Sequence, residues 1–239
     1  MNEKKECYSN LLENTIFINL NERTDRLEHI LNELPKIGIK NAERFNAIRT
    51  KNGAVGCTLS HIKCLEIAKQ NNYPHVFICE DDITFLNPDI FKKSLQKFAN
   101  SNYYNEFDVL LLAGNNCPPF ERSNDYCIRI SNCRTTTGYV VKQHYYDKLI
   151  QNFKDGVRNL IREPDNKNQY AVDMYWRTLQ INDKWYLIIP LTVVQKEGYS
   201  DIENRLTNYK HLMTDLEKEW LVGKPIVSNF HNMTYTMKR

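Results

Sequence analysis

No run of about 18 consecutive apolar residues occurs in this 239-residue chain, which leaves no candidate for a membrane-spanning helix. The N-terminus, MNEKKECYSNLLEN, has charges but no apolar signal core. Both absences favour a soluble, cytoplasmic protein as the expectation. No CxxC pair is present among the 7 cysteines, so nothing points to a structural zinc site, and an odd number of thiols leads us to expect them reduced. Charge of one sign is not in excess: 32 basic residues face 29 acidic ones, a net of +3, which gives no nucleic-acid footprint. Neither GxGxxG nor GxxxxGK[ST] follows any strand-like run, so the dinucleotide fingerprint and the P-loop are both missing. A phosphate group, if bound, must be held another way.

What is present is 41% hydrophobic residues arranged in an alternating order of strand and helix patterns. Apolar runs at TIFINL (15–20), HVFIC (75–79), DVLLLAG (108–114), GYVV (138–141) and WYLIIPLTVV (185–194) predict strands covered on both faces. Helical spacing appears in DRLEHILNEL, where Pro35 and Gly38 mark the end, and again over residues 58–69, with Thr58 or Ser60 as the cap. Further helices are predicted over 88–99 and 142–153. This order implies an α/β sandwich with a mainly parallel central sheet flanked by helices. The polar stretch 155–170 reads as a surface insertion bordering a site, and ligands in such folds bind outside the carboxyl ends of the strands.

One strand, HVFIC, runs directly into Glu80, Asp81 and Asp82. On an extended chain Glu80 and Asp82 would project to one side and Asp81 to the other. Three adjacent carboxylates repel one another, and a divalent cation removes that cost; Mg²⁺ or Mn²⁺ shared between carboxylates and a substrate diphosphate is the usual arrangement. A solvated acidic turn is the plainer reading of the triplet alone. A phospho-acceptor receiver domain is set aside, since its acidic pair would follow the first strand, where this chain has Asn19 and Leu20.

The triplet stands in a longer order of segments: NLNERTDR (19–26), GAVGCTLSHIKCLEIA (53–68), VFICEDDI (76–83), DVLLLAG (108–114), TTGYVV (136–141), VDMYW (172–176), PLTVVQ (190–195) and SDI (200–202). Together these resemble glycosyltransferase family 25, the group of bacterial lipooligosaccharide galactosyltransferases and collagen-modifying glycosyltransferases. The resemblance implies a GT-A type nucleotide-sugar-binding fold over residues 15–203, with 1–14 as an N-terminal extension and 204–239 as a tail that packs on the domain or extends it. It implies a UDP-galactose or UDP-glucose donor with Mn²⁺ or Mg²⁺, and a glycan or a hydroxylysine of a collagen-like protein as acceptor.

Carried over by position, Asp82 and Glu80 become the expected metal ligands. Asn19, Leu20, Arg23, Arg26, Ser60, His61, Asp81 and Gln195 are expected around the nucleotide. Gln195 stands where related enzymes often place a metal-binding histidine. Asp173 is the expected catalytic base if the anomeric carbon inverts; a helix-starting acid is its plainer role. Rival readings are a retaining glucosyltransferase acting on galactosyl-hydroxylysine, and a non-catalytic sugar-nucleotide or glycan-binding module. A collagen-like acceptor would require a secretory compartment, and the sequon Asn232-Met233-Thr234 does not decide the matter. The residues leave the oligomeric state open.

Overall fold

A computed structural model describes residues 7–122, 124–203 and 205–221. The first half follows the predicted alternation. β1 (Thr15–Asn19) leads to α1 (Thr24–Glu33), which passes into a 3-10 turn, Leu34–Ile37, and stops at Gly38. Gly38 has φ of +87°, a conformation that costs any residue with a Cβ. Then come β2 (Glu43–Asn46), α2 (Gly53–Gln70), β3 (His75–Glu80), β4 (Ile83–Phe85) and α3 (Pro88–Ala99). α2 begins five residues before the expected start. Its cap is Asn52, whose side chain accepts from Ala54 N, while Thr58 and Ser60 sit inside the helix and donate back to the carbonyls of Ala54 and Gly56.

The second half holds α4 (Tyr103–Glu106), β5 (Val109–Asn116), β6 (Phe120–Glu121), β7 (Cys127–Ile130), β8 (Cys133–Lys142) and α5 (Tyr146–Arg162). Short helices α6 (Lys167–Tyr170), α7 (Val172–Tyr175) and α8 (Arg177–Gln180) precede β9 (Trp185–Ile188) and β10 (Val193–Gln195). β11 (Gly198–Ser200), β12 (Arg205–Thr207) and α9 (Lys210–Thr214) follow. α5 starts later and ends later than predicted, since Phe153, Gly156, Val157 and Leu160 continue its buried face. The segment read as a surface insertion is therefore half core helix.

Eight strands form the main sheet in the order β2-β1-β3-β8-β5-β9-β7-β6. The parallel pairs β2·β1, β1·β3 and β5·β9 set the dominant direction, and β8 and β7 run against it. The α/β architecture is the expected one, with a mixed sheet in which six of the eight strands point the same way. The alternation within each strand divides two cores. Val76 and Ile78 of β3, with Val109 and Leu111 of β5, pack with α2 and α5; Phe77, Cys79, Leu110 and Leu112 pack with α1 and α3. Tyr8, Leu11 and Leu12 before β1, and Met213 of α9, are buried in the second core, so the described parts of both flanking segments reach it.

The run 185–194, read as one strand, is broken at Pro190, which has no amide hydrogen for a ladder. β9 stays in the main sheet, while β10 pairs with β4 in a separate antiparallel ribbon. The consequence is local and functional. Gln195 lies opposite Ile83, and Lys196 N donates to Asp82 O at 2.7 Å, so the ribbon clamps the turn that carries the acids. The six cysteines with described side chains, Cys57, Cys64, Cys79, Cys117, Cys127 and Cys133, are free, as expected. Among the described residues no helix is long and apolar enough to cross a membrane. The sequon Asn232-Met233-Thr234 and the tail after residue 221 lie outside the described residues.

Candidate active site

At the carboxyl ends of β1 and β3 a cleft of about 630 Å³ opens, lined by Leu20, Arg23, Arg26, Ser60, His61, Glu80, Asp81, Asp82 and Gln195 among others. A second cleft of about 330 Å³ adjoins it and contains Asp173, Arg134, Thr135, Thr136 and Lys167. Cys57, Glu80 and Gln195 line both. The sequence-predicted residues thus assemble around one pair of connected cavities. Asp173 is in the second, and Asn19 forms the floor behind the acids rather than the lining of the first.

The predicted alternation of the acids does not hold. β3 ends at Glu80, and Asp81 and Asp82 belong to the turn that follows, where strand geometry no longer sets direction. Asp81 and Asp82 consequently share a cation: Arg26 Nη1 lies 2.9 Å from Asp81 Oδ1 and 3.1 Å from Asp82 Oδ2. The other oxygen of Asp81 accepts from Asn19 Nδ2 at 2.7 Å, and Asn19 Oδ1 accepts from Arg44 at 2.7 Å. Glu80 turns to the other side. Its Oε1 accepts from Thr136 Oγ1 at 2.5 Å and lies 3.4 Å from His61 Nε2; its Oε2 accepts from Gln195 Nε2 at 3.2 Å.

These partners divide the protonation behaviour of the triplet. Burial pushes Glu80 upward, but the bond and charge of His61 and the hydroxyl of Thr136 hold it below its ordinary value. Burial raises Asp81 despite Arg26 and Asn19. Asp82 is pushed up to about 8 by burial and by the neighbouring charge of Glu80, which Arg26 offsets only in part. Its Oδ1 is buried and has no hydrogen-bond partner. An orphaned carboxylate oxygen beside two further acids fits a divalent cation, and an all-oxygen donor set suits Mg²⁺ or Mn²⁺.

Cations line the same cleft: Arg23, Arg49, Lys51 and, next to Asp82, Lys196. Arg23 pairs with Asp201 at 2.6 Å and Asp25 at 2.9 Å, and Arg26 Nη2 donates to Tyr199 O at 3.0 Å, so both arginines tie α1 to the β11–β12 segment across the cleft mouth. Ser60 lines the cleft, but its hydroxyl is committed: it accepts from Ile48 N at 2.8 Å and donates to Gly56 O at 2.8 Å, fixing the loop over 47–50 that forms one side.

In the second cleft Asp173 opens α7 with its Oδ2 accepting the Thr135 amide at 3.0 Å. Burial raises its carboxyl above the ordinary range in spite of that bond. Trp176 and Tyr175, which follow Asp173 in VDMYW, part company. Trp176 is wholly buried and bonds Cys133 O through Nε1 at 2.9 Å, a core role, while Tyr175 packs on Gly156.

Sequence reasoning missed Thr136, Arg44 and Cys57 as parts of the site. Thr136 stood in a quoted motif, but nothing local tells that β8 brings it against Glu80, 56 residues earlier. Arg44 lies on a short edge strand of mixed exposure that carries no apolar signature.

The family model of glycosyltransferase family 25 (LPS biosynthesis protein) matches residues 50–176, more than half of the chain. Solved structures with a similar course of the chain include A197 from STIV, with 14% identity and a TM-score of 0.45 over 81% of this chain and 92% of that one. Another is the nucleoside-diphosphate-sugar pyrophosphorylase of Vibrio cholerae RC9, with 16% identity and a TM-score of 0.36 over 79% and 78%. A third is a Drosophila galactosyltransferase 7 mutant in complex with manganese, UDP-Gal and xylobiose, with 13% identity and a TM-score of 0.38 over 85% and 74%. No curated protein matches the sequence. By the span of its match, which takes in α2, the acidic triplet and Asp173, the chain belongs to glycosyltransferase family 25 and is a transferase of sugar units.

Proposed function

We propose that this enzyme moves galactose or glucose from a UDP-sugar to a hydroxyl group, with a GT-A type catalytic unit over residues 15–203. The observation that carries the reading is the buried, unpartnered Oδ1 of Asp82, a residue lining a cleft that also holds arginine and lysine side chains. Carboxylates together with arginine and lysine in one cleft suit a nucleotide diphosphate and its counter-ion.

Asp82 and Glu80 would hold Mn²⁺ or Mg²⁺, which when bound stabilises negative charge on the departing diphosphate. The remaining work belongs to the chain. Asn19 and Arg26 fix Asp81, while Thr136, His61 and Gln195 fix Glu80, so both carboxylates are pre-set before substrate arrives. Arg23 and Arg26 order α1 against the β11–β12 segment beside the place of the nucleotide. Asp173, in the adjoining cleft, takes the proton of the acceptor hydroxyl as the sugar is transferred, and its raised affinity for a proton suits that role. An inverted anomeric centre follows from a base placed on the acceptor side. The acceptor is a glycan or a hydroxylysine of a collagen-like chain; the LPS description of the family favours the glycan.

Incubating the protein with UDP-galactose or UDP-glucose, an acceptor panel and either Mn²⁺ or a chelator, with products read by mass spectrometry and NMR, tests this directly. Metal-dependent transfer with inversion supports it. Retention would remove Asp173 as base, and absence of both turnover and metal-dependent UDP binding would reject the reading.

A further inference from the structure

A chemically different set of ligands lies where the two clefts meet. Cys57 and His61 stand four residues apart on α2 and so share one helix face, opposite Glu80 at the end of β3. One ligand atom from each residue, a sulfur, a nitrogen and an oxygen, lies within 4.8 Å of the other two. The imidazole is held in place from behind: Nδ1 is 2.8 Å from the hydroxyl of the buried Tyr139, and the two rings stack at 5.6 Å. A ring nitrogen backed by a hydrogen bond is the usual support of a metal-binding histidine. Cys57 and Glu80 line both cavities, so the group borders open space from which water could supply the fourth ligand of a tetrahedral site.

We propose that Cys57, His61 and Glu80 form a binding site for Zn²⁺ that shares Glu80 with the carboxylate site of Asp82 and differs from it in its sulfur and imidazole donors. Sulfur and imidazole donors select Zn²⁺ and Co²⁺ over Mg²⁺ and Mn²⁺. On binding, the Cys57 thiol releases its proton to solvent and forms the metal–sulfur bond. His61 binds the ion through Nε2 as the neutral imidazole whose one proton sits on Nδ1 and is donated in the hydrogen bond to the Tyr139 oxygen; a proton carried on Nε2 leaves to solvent. An ion at this junction narrows the passage between the cavities, so Zn²⁺ inhibits transfer; that consequence alone rests on the proposed function.

The test adds Co²⁺ to the full chain, reduced and in excess Mg²⁺, and follows thiolate-to-cobalt charge-transfer absorption, which needs no activity. One equivalent should saturate the signal. Cys57→Ser should abolish it, Tyr139→Phe should weaken affinity about tenfold or more, and Asp82→Asn should leave it in place. In the wild-type chain, Zn²⁺ should also protect Cys57 from alkylation, as read by peptide mass spectrometry, which decides the matter if a variant fails to fold. No charge-transfer band, a band indifferent to Cys57→Ser, or unprotected Cys57 overturns the site. A band with transfer unaffected by Zn²⁺ overturns the inhibition and leaves the transferase reading untouched.

Discussion

Gln195 donates its side-chain amide to Glu80 Oε2 at 3.2 Å, joining residues 115 positions apart and the two sheets that carry them. A neutral donor here gives Glu80 a hydrogen bond without adding a further negative charge to those of Asp81 and Asp82. Gln195→Glu would place like charges in contact, so we expect the metal-free protein to lose about 1–2 kcal/mol. Added Mn²⁺ should restore that loss, and thermal melts with and without the ion check it.

Arg26 offers the second lever. It is the shared cation of Asp81 and Asp82, and its side chain is 18% exposed against 8% and 11% for theirs. Arg26→Gln leaves two nearly buried carboxylates with reduced compensation, and partial exposure limits the cost to about 2–3 kcal/mol. Denaturant unfolding should show that loss, smaller in the presence of Mg²⁺ or Mn²⁺.

The pH dependence follows from Asp82. Unfolded, its carboxyl titrates in the ordinary range near ~4; in the fold it is pushed up to about 8 by burial and by Glu80. Between those values the folded protein keeps a proton that the unfolded chain has lost. This contribution to stability is full below the lower value and disappears as pH rises through the upper one. Metal-free wild type should therefore lose melting temperature relative to Asp82→Asn as pH rises from about 5 to 8.5. Parallel pH profiles for the two proteins would contradict the assignment.

Asp173 is tested by Asp173→Asn. The amide oxygen still accepts from Thr135, so the fold should stay intact, while loss of a general base should slow transfer about 10²- to 10⁴-fold. UDP binding, measured by calorimetry, should be unchanged, because Asp173 lies in the second cleft.

Gly56 tests the packing beneath the site. A Cβ there would stand 2.3 Å from Ile48 O, which is backbone and cannot turn aside. Gly56→Ala should cost about 1–3 kcal/mol and displace the loop that Ser60 holds. A melt matching wild type would show that the loop yields freely.

Much of this architecture was legible in the sequence, for physical reasons that differ by element. β3 and β5 announced themselves because both faces are covered, so apolar residues occupy successive positions. α3 was predicted over the same 88–99, and the structure starts it at Pro88 behind an Asn87 cap. β2, exposed along much of its length, gave no such pattern. The first half of β8, Cys133 to Thr137, reads as polar because some of those side chains serve the clefts. The acids were found at the right place, yet their directions were misjudged, since alternation lapses where the strand ends at Glu80. Contacts such as Thr136 with Glu80 depend on strand order, which no local window contains.

The reversed course of β8 has one more effect. Lying antiparallel between β3 and β5, it brings its opening residues, not its closing ones, to the rim where their carboxyl ends emerge. A residue inserted between Thr136 and Gly138, where β8 begins to pair with β3, would slide the hydroxyl out of reach of its carboxylate, while one added beyond Val141 would alter only the far edge. The catalytic side of this molecule is thus sensitive to lengthening at a strand's entrance, where ordinary α/β sheets tolerate it best.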